Sequence, residues 1–417
     1  MNSTRSSISF PKLRSVDVRP FHQNGAPYFL LQDPLKLSDE GVLAVPQAFG
    51  PLLALCDGRY PDARALSMAV QLRYGIEVDP RTVEALLRAL DEAHLLENGR
   101  AQEALLQKRA WYRDLDARPM SHAGLAYPAE ADELARLLDS YRDGLPQPDR
   151  ANGHHRSTAR HPGVFSPHID YARGGPVYAQ TWREAAHLAE DAELVILVGT
   201  DHYGDDLFTL TRQNYATPFG VLPTATQVVD ELAQALGESA AYAGELRHLR
   251  EHSLELVAVW LQHARGRRPV PLVPVLVGSM HRFFANPASP SENERIRCFL
   301  DVLGRYAAQK RTLIVASGDL AHVGPAFGGA PLTSDARLKL RQDDEELMGY
   351  FRQGDPEGFY NFIRRINDRN NVCGVTPGYL MLHLVGAGAQ GRQIAYDSCP
   401  ADERNQSAVT ICGMVYE

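Results

Sequence analysis

The chain has 417 residues, 44% of them hydrophobic and 23% charged, with a net charge of −8. This length suits two or three domains, and the negative charge argues against a broad nucleic-acid interface. No apolar run approaches the roughly 20 residues of a membrane helix, and the N-terminal segment lacks the apolar core of a secretory signal. Five scattered cysteines without CxxC spacing argue against disulfides or a structural zinc site and predict a cytoplasmic protein.

Residues 1–110 carry a helical pattern that differs from the rest of the chain. One helix is predicted over Asp62–Tyr74, and a second follows the N-cap and first-turn proline of Asp79-Pro80. Asn98-Gly99 is predicted to end this segment, and a hairpin is predicted to follow the two helices. Two helices and a hairpin indicate a small winged-helix-like accessory domain, with a plain helical packing domain as the alternative. Between Arg59 and Arg100 the chain has six Arg and seven Asp or Glu, so a protein or peptide partner is expected rather than DNA.

Residues 111–417 alternate between predicted strands and helices. Buried strands are predicted at Val164–His168, Leu194–Gly199, Pro271–Val277 and Thr312–Ser317, with helices between them. The last two strands, near residues 393–398 and 408–415, have no helix between them. The pattern predicts an α/β domain with a three-layer architecture, in which helices flank a mixed sheet.

Three apolar runs stop in motifs that carry histidine: VFSPHID, LVILVGTDH and TLIVASGDLAH. In open α/β sheets, ligands bind outside the carboxyl ends of the strands. His168 and His202 are 34 residues apart, the length of one crossover, so we expect them on neighbouring parallel strands. Gly174-Gly175 is expected to turn the chain tightly into the next helix. Histidines with acidic neighbours at one sheet edge predict a metal or acid–base site.

Further candidates each have an ordinary structural alternative. His252 begins a helix and either faces the pocket or makes a buried hydrogen bond, while Glu255 is expected to be a simple first-turn charge. Asp319 and His322 are three apart and would share a face of a helical turn. Cys373 precedes a helix, which favours its thiolate form, although burial in the core is the alternative. Three histidines in a Pro- and Gly-rich loop are expected to be solvated: His154, His155 and His161.

Together the motifs resemble the Memo family, whose bacterial members are called AmmeMemoRadiSam system protein B. The resemblance covers about residues 118–417 and rests on motifs in the same order: SHAGLAYP after Arg118-Pro119, PHIDYARGG, GTDH, EHSLE, SGDLAHVG, VCGVTP and YDS. It implies a fold like that of class III extradiol dioxygenases, with a non-haem iron site. The family's metal-binding positions fall on His168, His202 and Cys373. Its further pocket positions fall on Asp319 and His322, and a position beside the ligands falls on His252.

Two motifs depart from the better-known members, which have PHAGY and GPSH in place of PHIDYARGG and GTDH. Asp170 and Asp201 are therefore expected to make the pocket more acidic, with Arg173 as a counter-charge. The N-terminal unit is an addition to the basic family domain and loosely resembles winged-helix modules that recognise peptides. Family members are reported to bind iron or copper, and some are described as peptide-binding proteins without enzymatic activity.

The residues and the resemblance lead to one main hypothesis, a cytoplasmic metal-dependent redox enzyme. His168 and His202 would bind the metal, and Cys373 or Asp319 would complete the site. His322, His252 and Asp319 are the acid–base candidates. Iron(II) is the expected metal, with copper or zinc as alternatives, and the substrate is expected to be a small aromatic molecule or a peptide.

Two other hypotheses use the same residues. In one, the pocket captures a peptide or phosphorylated group without turnover, and the N-terminal unit contributes a protein partner. In the other, the protein is a zinc hydrolase in which metal-bound water is the nucleophile. None of the three involves nucleic acid or a membrane.

Overall fold

The computed structural model describes residues 8–38, 41–143, 145, 158–286 and 288–417. The chain divides into two units, Met1–Asp114 and Leu115–Glu417. Among the described residues, no helix has the length and apolar character needed to cross a membrane.

The first unit begins with an antiparallel three-stranded sheet and continues with helices. The strands, in the order β1-β2-β3, are β1 Asp17–Gln23, β2 Ala26–Gln32 and β3 Val42–Pro46. The helices are α1 Gly50–Leu55, α2 Ala63–Tyr74, α3 Pro80–Glu92 and α4 Gly99–Arg113. The predicted helices are confirmed: the Asp62 and Asp79 side chains cap α2 and α3. The apolar face of α3 is buried through Val83, Leu86, Leu87 and Leu90.

The hairpin predicted after the two helices is wrong, because helix α4 follows them. Asn98 is the N-cap of α4, and its side-chain oxygen accepts a hydrogen bond from the Ala101 amide at 3.0 Å. Asn suits both a helix N-cap and a tight turn, so the dipeptide alone does not distinguish them. The strands of this unit precede its helices instead of following them, and this arrangement does not confirm the winged-helix interpretation.

The second unit alternates strands and helices over most of its length. Its strands are β4 Gly163–Ser166, β5 Leu194–Thr200, β6 Thr209–Leu210, β7 Tyr215–Thr217, β8 Gly220–Leu222, β9 Leu272–Val277, β10 Thr312–Ser317, β11 His322–Val323, β12 Gly391–Pro400 and β13 Ala408–Tyr416. Its helices are α5 Ala131–Ser140, α6 Tyr171–Glu184, α7 Ala186–Asp191, α8 Thr226–Leu236, α9 Glu238–Ala241, α10 His252–Ala264, α11 Glu294–Gln309, α12 Ser334–Gln353, α13 Pro356–Arg365 and α14 Val375–Val385.

A mixed sheet in the order β11-β13-β4-β10-β5-β9-β6, with β12 paired to β13, forms the centre of the second unit. The four inner strands β4, β10, β5 and β9 are parallel, and the outer pairs are antiparallel. Alternate residues of β5 enter two apolar cores, one on each face of the sheet: Ile196 and Val198 on one side, Val195 and Leu197 on the other. The predicted mixed α/β sheet between helical layers is confirmed.

One topological expectation is wrong, because the strands that precede His168 and His202 are not neighbours. Strand β10 pairs with both β4 and β5 and lies between them. The 34-residue spacing identifies a crossover connection but does not reveal that a later strand inserts between the two. All three strands still end at the same edge of the sheet, because they are parallel.

Two glycines allow a close backbone approach at this edge. Gly318 follows β10 and Gly374 precedes α14. A Cβ atom on Gly318 would lie 2.4 Å from the Gly374 Cα, and one on Gly374 would lie 2.7 Å from the Asp319 carbonyl oxygen. Backbone atoms cannot yield as flexible side chains can, so these positions fix how closely the Cys373 segment approaches the sheet.

We expect Gly374→Ala to lower the free energy of unfolding by about 1–3 kcal/mol, because the added methyl group overpacks a backbone contact. Urea unfolding followed by circular dichroism measures the change. The matched control is Gly304→Ala within α11, where an added Cβ meets no atom within 4 Å. Alanine is the better helix former, so the control should be neutral or stabilising by up to about 1 kcal/mol. Equal destabilisation by both variants would contradict the packing argument.

Candidate metal centre

His168, His202 and Cys373 meet at the carboxyl edge of the sheet. His168 follows β4, His202 follows β5, and Cys373 lies two residues before α14. One ligand atom from each of the three lies within 4.8 Å of the others, and the two imidazole centroids are 5.0 Å apart. The structure therefore brings together the three residues that the family resemblance assigned to the metal.

His168 is buried, and its Nδ1 atom lies 3.1 Å from the Ser317 hydroxyl. That hydroxyl donates its one proton to the Ser253 carbonyl oxygen at 2.6 Å. Ser317 can therefore only accept from His168, so the ring carries its proton on Nδ1. Nε2 keeps its lone pair and faces the Cys373 Sγ at 3.1 Å. Burial, reinforced by the neighbouring histidines, holds the pKa of His168 well below its usual range, which favours the neutral, metal-binding ring.

His202 is oriented by Glu251, a carboxylate with no solvent exposure. The Glu251 side chain accepts hydrogen bonds from the His202 backbone amide at 2.9 Å and from Nδ1 at 3.0 Å. Burial alone would lower the pKa of His202, but the Glu251 charge and the hydrogen bonds to Cys373 and Glu251 together outweigh burial and raise this pKa well above its usual range. The carboxylate thus fixes the ring through Nδ1 and leaves Nε2 for the cluster, the arrangement in which histidines ligate metals.

Cys373 differs from the sequence expectation in its electrostatics. Burial raises the pKa of its thiol, and a hydrogen bond from His202 offsets this only in part. This burial overrides the expected effect of α14, which begins two residues later at Val375. The Asp319 amide donates to Sγ at 3.3 Å. Without a cation the thiol is therefore the favoured form, whereas a bound metal would stabilise the thiolate.

Asp319 fixes the loop that follows β4 and also faces the cluster. Its Oδ1 accepts hydrogen bonds from the backbone amides of His168 at 2.8 Å and Ile169 at 3.2 Å. Its Oδ2 lies 3.9 Å from His168 Nε2 and 4.0 Å from His322 Nε2. Burial raises the pKa of this carboxyl, although the histidines and the backbone bonds counteract it. Asp319, His322 and Cys373 also form a group able to hold a metal.

His322 begins the short strand β11, so the predicted helical turn shared with Asp319 is wrong. Its Nδ1 lies 3.2 Å from the Asn371 carbonyl oxygen, which can only accept, so this nitrogen donates. The other nitrogen, Nε2, faces Asp319 and is free to exchange a proton. The two residues come together through a backbone pairing of His322 with Val409 of β13, not through helical spacing.

His252 satisfies both of its alternatives. Its Nδ1 lies 3.2 Å from Glu251 Oε1, which is the buried polar contact. Its ring centroid is also 4.6 Å from that of His202 and 5.1 Å from that of His168, so the ring lies inside the cluster. The helix cap itself is Glu251, whose side chain accepts from the Ser253 amide at 2.9 Å.

The donor set suits a soft or borderline divalent metal. An ion with bonds of about 2.1 Å to nitrogen and 2.3 Å to sulfur holds tetrahedral N and S donors about 3.6 Å apart. The observed 3.1 Å between His168 Nε2 and Cys373 Sγ needs only a small opening to reach that value. Two imidazoles that face the Cys373 sulfur, together with that thiol, match the preferences of iron, copper or zinc.

Sequence reasoning missed the role of Glu255, which is a buried hub and not an ordinary first-turn charge. Its carboxylate pairs with Arg118 at 2.6 Å, and both side chains have no solvent exposure. It also accepts from the amides of Ser121 and His122 and from the Tyr127 hydroxyl. The SHAGLAYP motif is therefore anchored to α10, and the His122 ring lies 5.9 Å from that of His252. No local sequence signal near Glu255 indicates this pairing.

The charged departures from the family motifs do not add free negative charge. Asp170 pairs with Arg173 at 2.5 Å and caps α6, so the predicted counter-charge is confirmed. Asp201 pairs with Arg247 at 2.6 Å. The expected more acidic pocket is therefore wrong, because an arginine compensates each carboxylate.

Other sequence expectations near the site also change. Gly174-Gly175 lies inside α6 and does not turn the chain before it; a Cβ at Gly174 would lie 2.3 Å from Ile169. Close packing, and not a turn, explains this pair. His161 is buried and not solvated, and burial lowers its pKa. His154 and His155 lie outside the described residues.

Comparison with known proteins finds a family match that lies within the second unit. A family profile described as Memo-like protein matches residues 118–415. The chain belongs to the Memo family. A MEMO1 family protein of Aquifex aeolicus is 25% identical over 413 residues, or 97% of this chain and 99% of the relative. A MEMO1 family protein of Thermus thermophilus is 29% identical over 297 residues, or 70% and 80% of the two chains. The Caenorhabditis elegans Protein memo-1 homolog is 26% identical over 275 residues, or 64% and 70%.

The extent of these matches bears on the first unit. The family profile begins at Arg118, after the division between the units, whereas the Aquifex aeolicus alignment covers nearly the whole chain. The N-terminal unit of this Memo protein is therefore outside the profile but shared with at least one relative.

We expect Glu251→Gln to weaken metal binding by about 10- to 100-fold, because the neutral amide lacks the charged oxygen that accepts the His202 Nδ1 proton and orients the ring. Competition with a chromogenic chelator measures the affinity. Glu231→Gln is the control, since Glu231 is on α8 and pairs with Arg305. Unchanged affinity in Glu251→Gln would mean that His202 is not a ligand.

We expect Glu255→Gln to lower the free energy of unfolding by about 3–5 kcal/mol, because it leaves the buried Arg118 guanidinium without its partner charge. Thermal unfolding of this variant and Glu251→Gln side by side separates the two buried carboxylates. The stability loss should be larger in Glu255→Gln, and the loss of metal affinity larger in Glu251→Gln. The reverse order would contradict the assigned roles.

Proposed function

We propose that this Memo family member is a metal-dependent redox enzyme. Iron(II) is the proposed metal, with copper or zinc as alternatives. The observation that carries the proposal is the convergence of His168, His202 and Cys373, each from a different element, with both Nδ1 atoms engaged by the protein. Such pre-oriented donors match the requirements of a metal site better than those of a packed core.

The likeness of this donor set to two-histidine, one-anion iron sites supports the redox assignment. Bound iron would supply open coordination positions for small ligands and a change of oxidation state. The third donor is Cys373 or, alternatively, Asp319, whose Oδ2 faces the same space. A relationship to class III extradiol dioxygenases remains part of this proposal, and ring cleavage is not carried over with it, since a thiol is softer and itself oxidisable.

The surrounding residues would handle protons and orientation. His322 presents an exchangeable Nε2 beside the buried Asp319 and is the proposed acid–base group. His252 packs against both ligand histidines and would restrict their motion, with a second acid–base role as the alternative. The proposed substrate is a small aromatic or peptidyl molecule. We further propose a cytoplasmic location, where free thiols stay reduced, and a peptide or protein partner for the N-terminal unit.

Anaerobic purification followed by elemental analysis tests the proposal. We expect about one metal ion per chain, and a loss of at least about tenfold in occupancy for His202→Ala and Cys373→Ser, because each removes a ligand. His187→Ala and Cys298→Ser are matched controls outside the cluster. Oxygen uptake should then require the iron-loaded protein.

Other outcomes separate the alternatives. Zinc as the resident metal, with hydrolysis that weakens on exchange for iron, would favour a hydrolase. Negligible metal in the wild-type protein, together with peptide binding that His202→Ala abolishes, would favour a binding protein. Either result overturns the redox proposal.

A further inference from the structure

A cavity of about 450 Å³ borders the candidate metal centre at His322. We call it the His322 cavity. Three segments line it: the loop that begins with β11, one face of α12, and the segment that leads to Cys373. Its lining residues include His322, Phe327, Leu332, Lys339, Arg369 and Asn371. The volume lies within the range of about 300–1,000 Å³ typical of small-molecule sites.

One part of the His322 cavity is apolar. Phe327, Leu332 and Leu340 line it together with small side chains of the same loop. Phe327 meets the His322 imidazole edge-on, with centroids 5.2 Å apart, yet remains 38% exposed. An aromatic ring left partly open beside a reactive imidazole offers a flat contact surface for another ring.

Another part of the His322 cavity is positive. Lys339 and Arg369 both pair with Asp343, at 2.9 Å and 2.5 Å. The Asp343 carboxylate is only 3% exposed and also accepts from the Asn370 side chain at 3.1 Å. Burial alone would raise the pKa of Asp343, but these donors lower it, so the carboxylate is ionised. Two cations share one anion, which leaves one excess positive charge, and Asp343 is the cavity's one acidic lining residue among those described.

We propose that the His322 cavity binds the substrate of the metal centre, and that this substrate is an organic anion: a flat apolar body with a single carboxylate. The statement that the bound anion is a substrate rests on the proposed function. The body would pack against Phe327 and Leu332, and the carboxylate would lie at Lys339 and Arg369. The end of the molecule nearest His322 would then lie beside that imidazole.

Ligand-observed NMR titration of the full chain with phenylacetate and phenylacetamide tests the charge requirement, because the two probes have the same shape. We expect phenylacetate to bind about tenfold more tightly, as charge-assisted contacts allow. Lys339→Gln should remove most of that preference. The matched control is Lys310→Gln, an exposed lysine outside the cavity. Arg369→Gln should also reduce the preference for phenylacetate. If Arg369→Gln does not fold, the result for Lys339→Gln is sufficient to test the charge requirement.

A second pair of variants tests the apolar contact. Phe327→Ala should weaken both probes by about threefold or more, because each loses the stacking surface. Leu338→Ala is the control, since Leu338 is 61% exposed on α12 but does not line the cavity. Any of three results would overturn the inference. They are equal binding of the two probes, binding unaffected by Lys339→Gln and Phe327→Ala, and no binding of either probe up to about 10 mM.

The titrations are run on both metal-free and iron-loaded protein. If the protein takes up no metal but still selects phenylacetate through Lys339, the proposed redox function fails and the cavity assignment stands. If iron binds as proposed but the probes ignore these residues, the cavity assignment fails alone. A preference seen only with iron would indicate direct ligation of the carboxylate and would also overturn it.

Discussion

The hydrogen bond of 3.0 Å from His202 Nδ1 to Glu251, a carboxylate with no solvent exposure, constrains what this edge of the sheet can bind. With the Nδ1 proton held there, the neutral ring has one lone pair, on Nε2, and it faces the cluster. Ser317 imposes the same choice on His168. Since Glu251 also favours the protonated ring of His202, a metal ion and a proton compete for the same nitrogen. Metal uptake should therefore release protons, and its strength depends on pH.

The inserted strand β10 explains how His168 is constrained. Were β4 and β5 neighbours, as the 34-residue spacing suggested, no element between them would present an acceptor to His168. β10 brings Ser317 and Asp319 into that position. The strand ends were predictable because β-branched apolar runs stop at Gly, Ser or Pro. The strand order was not predictable, because pairing between strands more than 100 residues apart leaves no local signal in the sequence.

The same distinction separates the other correct and incorrect expectations. Caps such as Asp62 are local, and the sequence alone located them. Asn98 has two local interpretations, and only packing chose the helix. The role of Glu255 is wholly long-range: nothing near it identifies Arg118, 137 positions earlier, as its partner. The prediction of a Cys373 thiolate is wrong for an energetic reason. Burial raises the pKa of the thiol and outweighs the partial positive charge of the helix that begins at Val375.

The charges on the two sides of residues 369–373 differ: those on one side cancel, whereas those on the other leave an excess of positive charge. Asp201 departs from the motif of better-known members, yet Arg247 neutralises it, so it does not repel an approaching anion. Across the segment, Lys339 and Arg369 outnumber their shared Asp343. A chain with net charge −8 thus places a local positive field beside its histidine cluster. Both cations are largely exposed, so salt screens this field, and it attracts negatively charged small molecules only within about 10 Å.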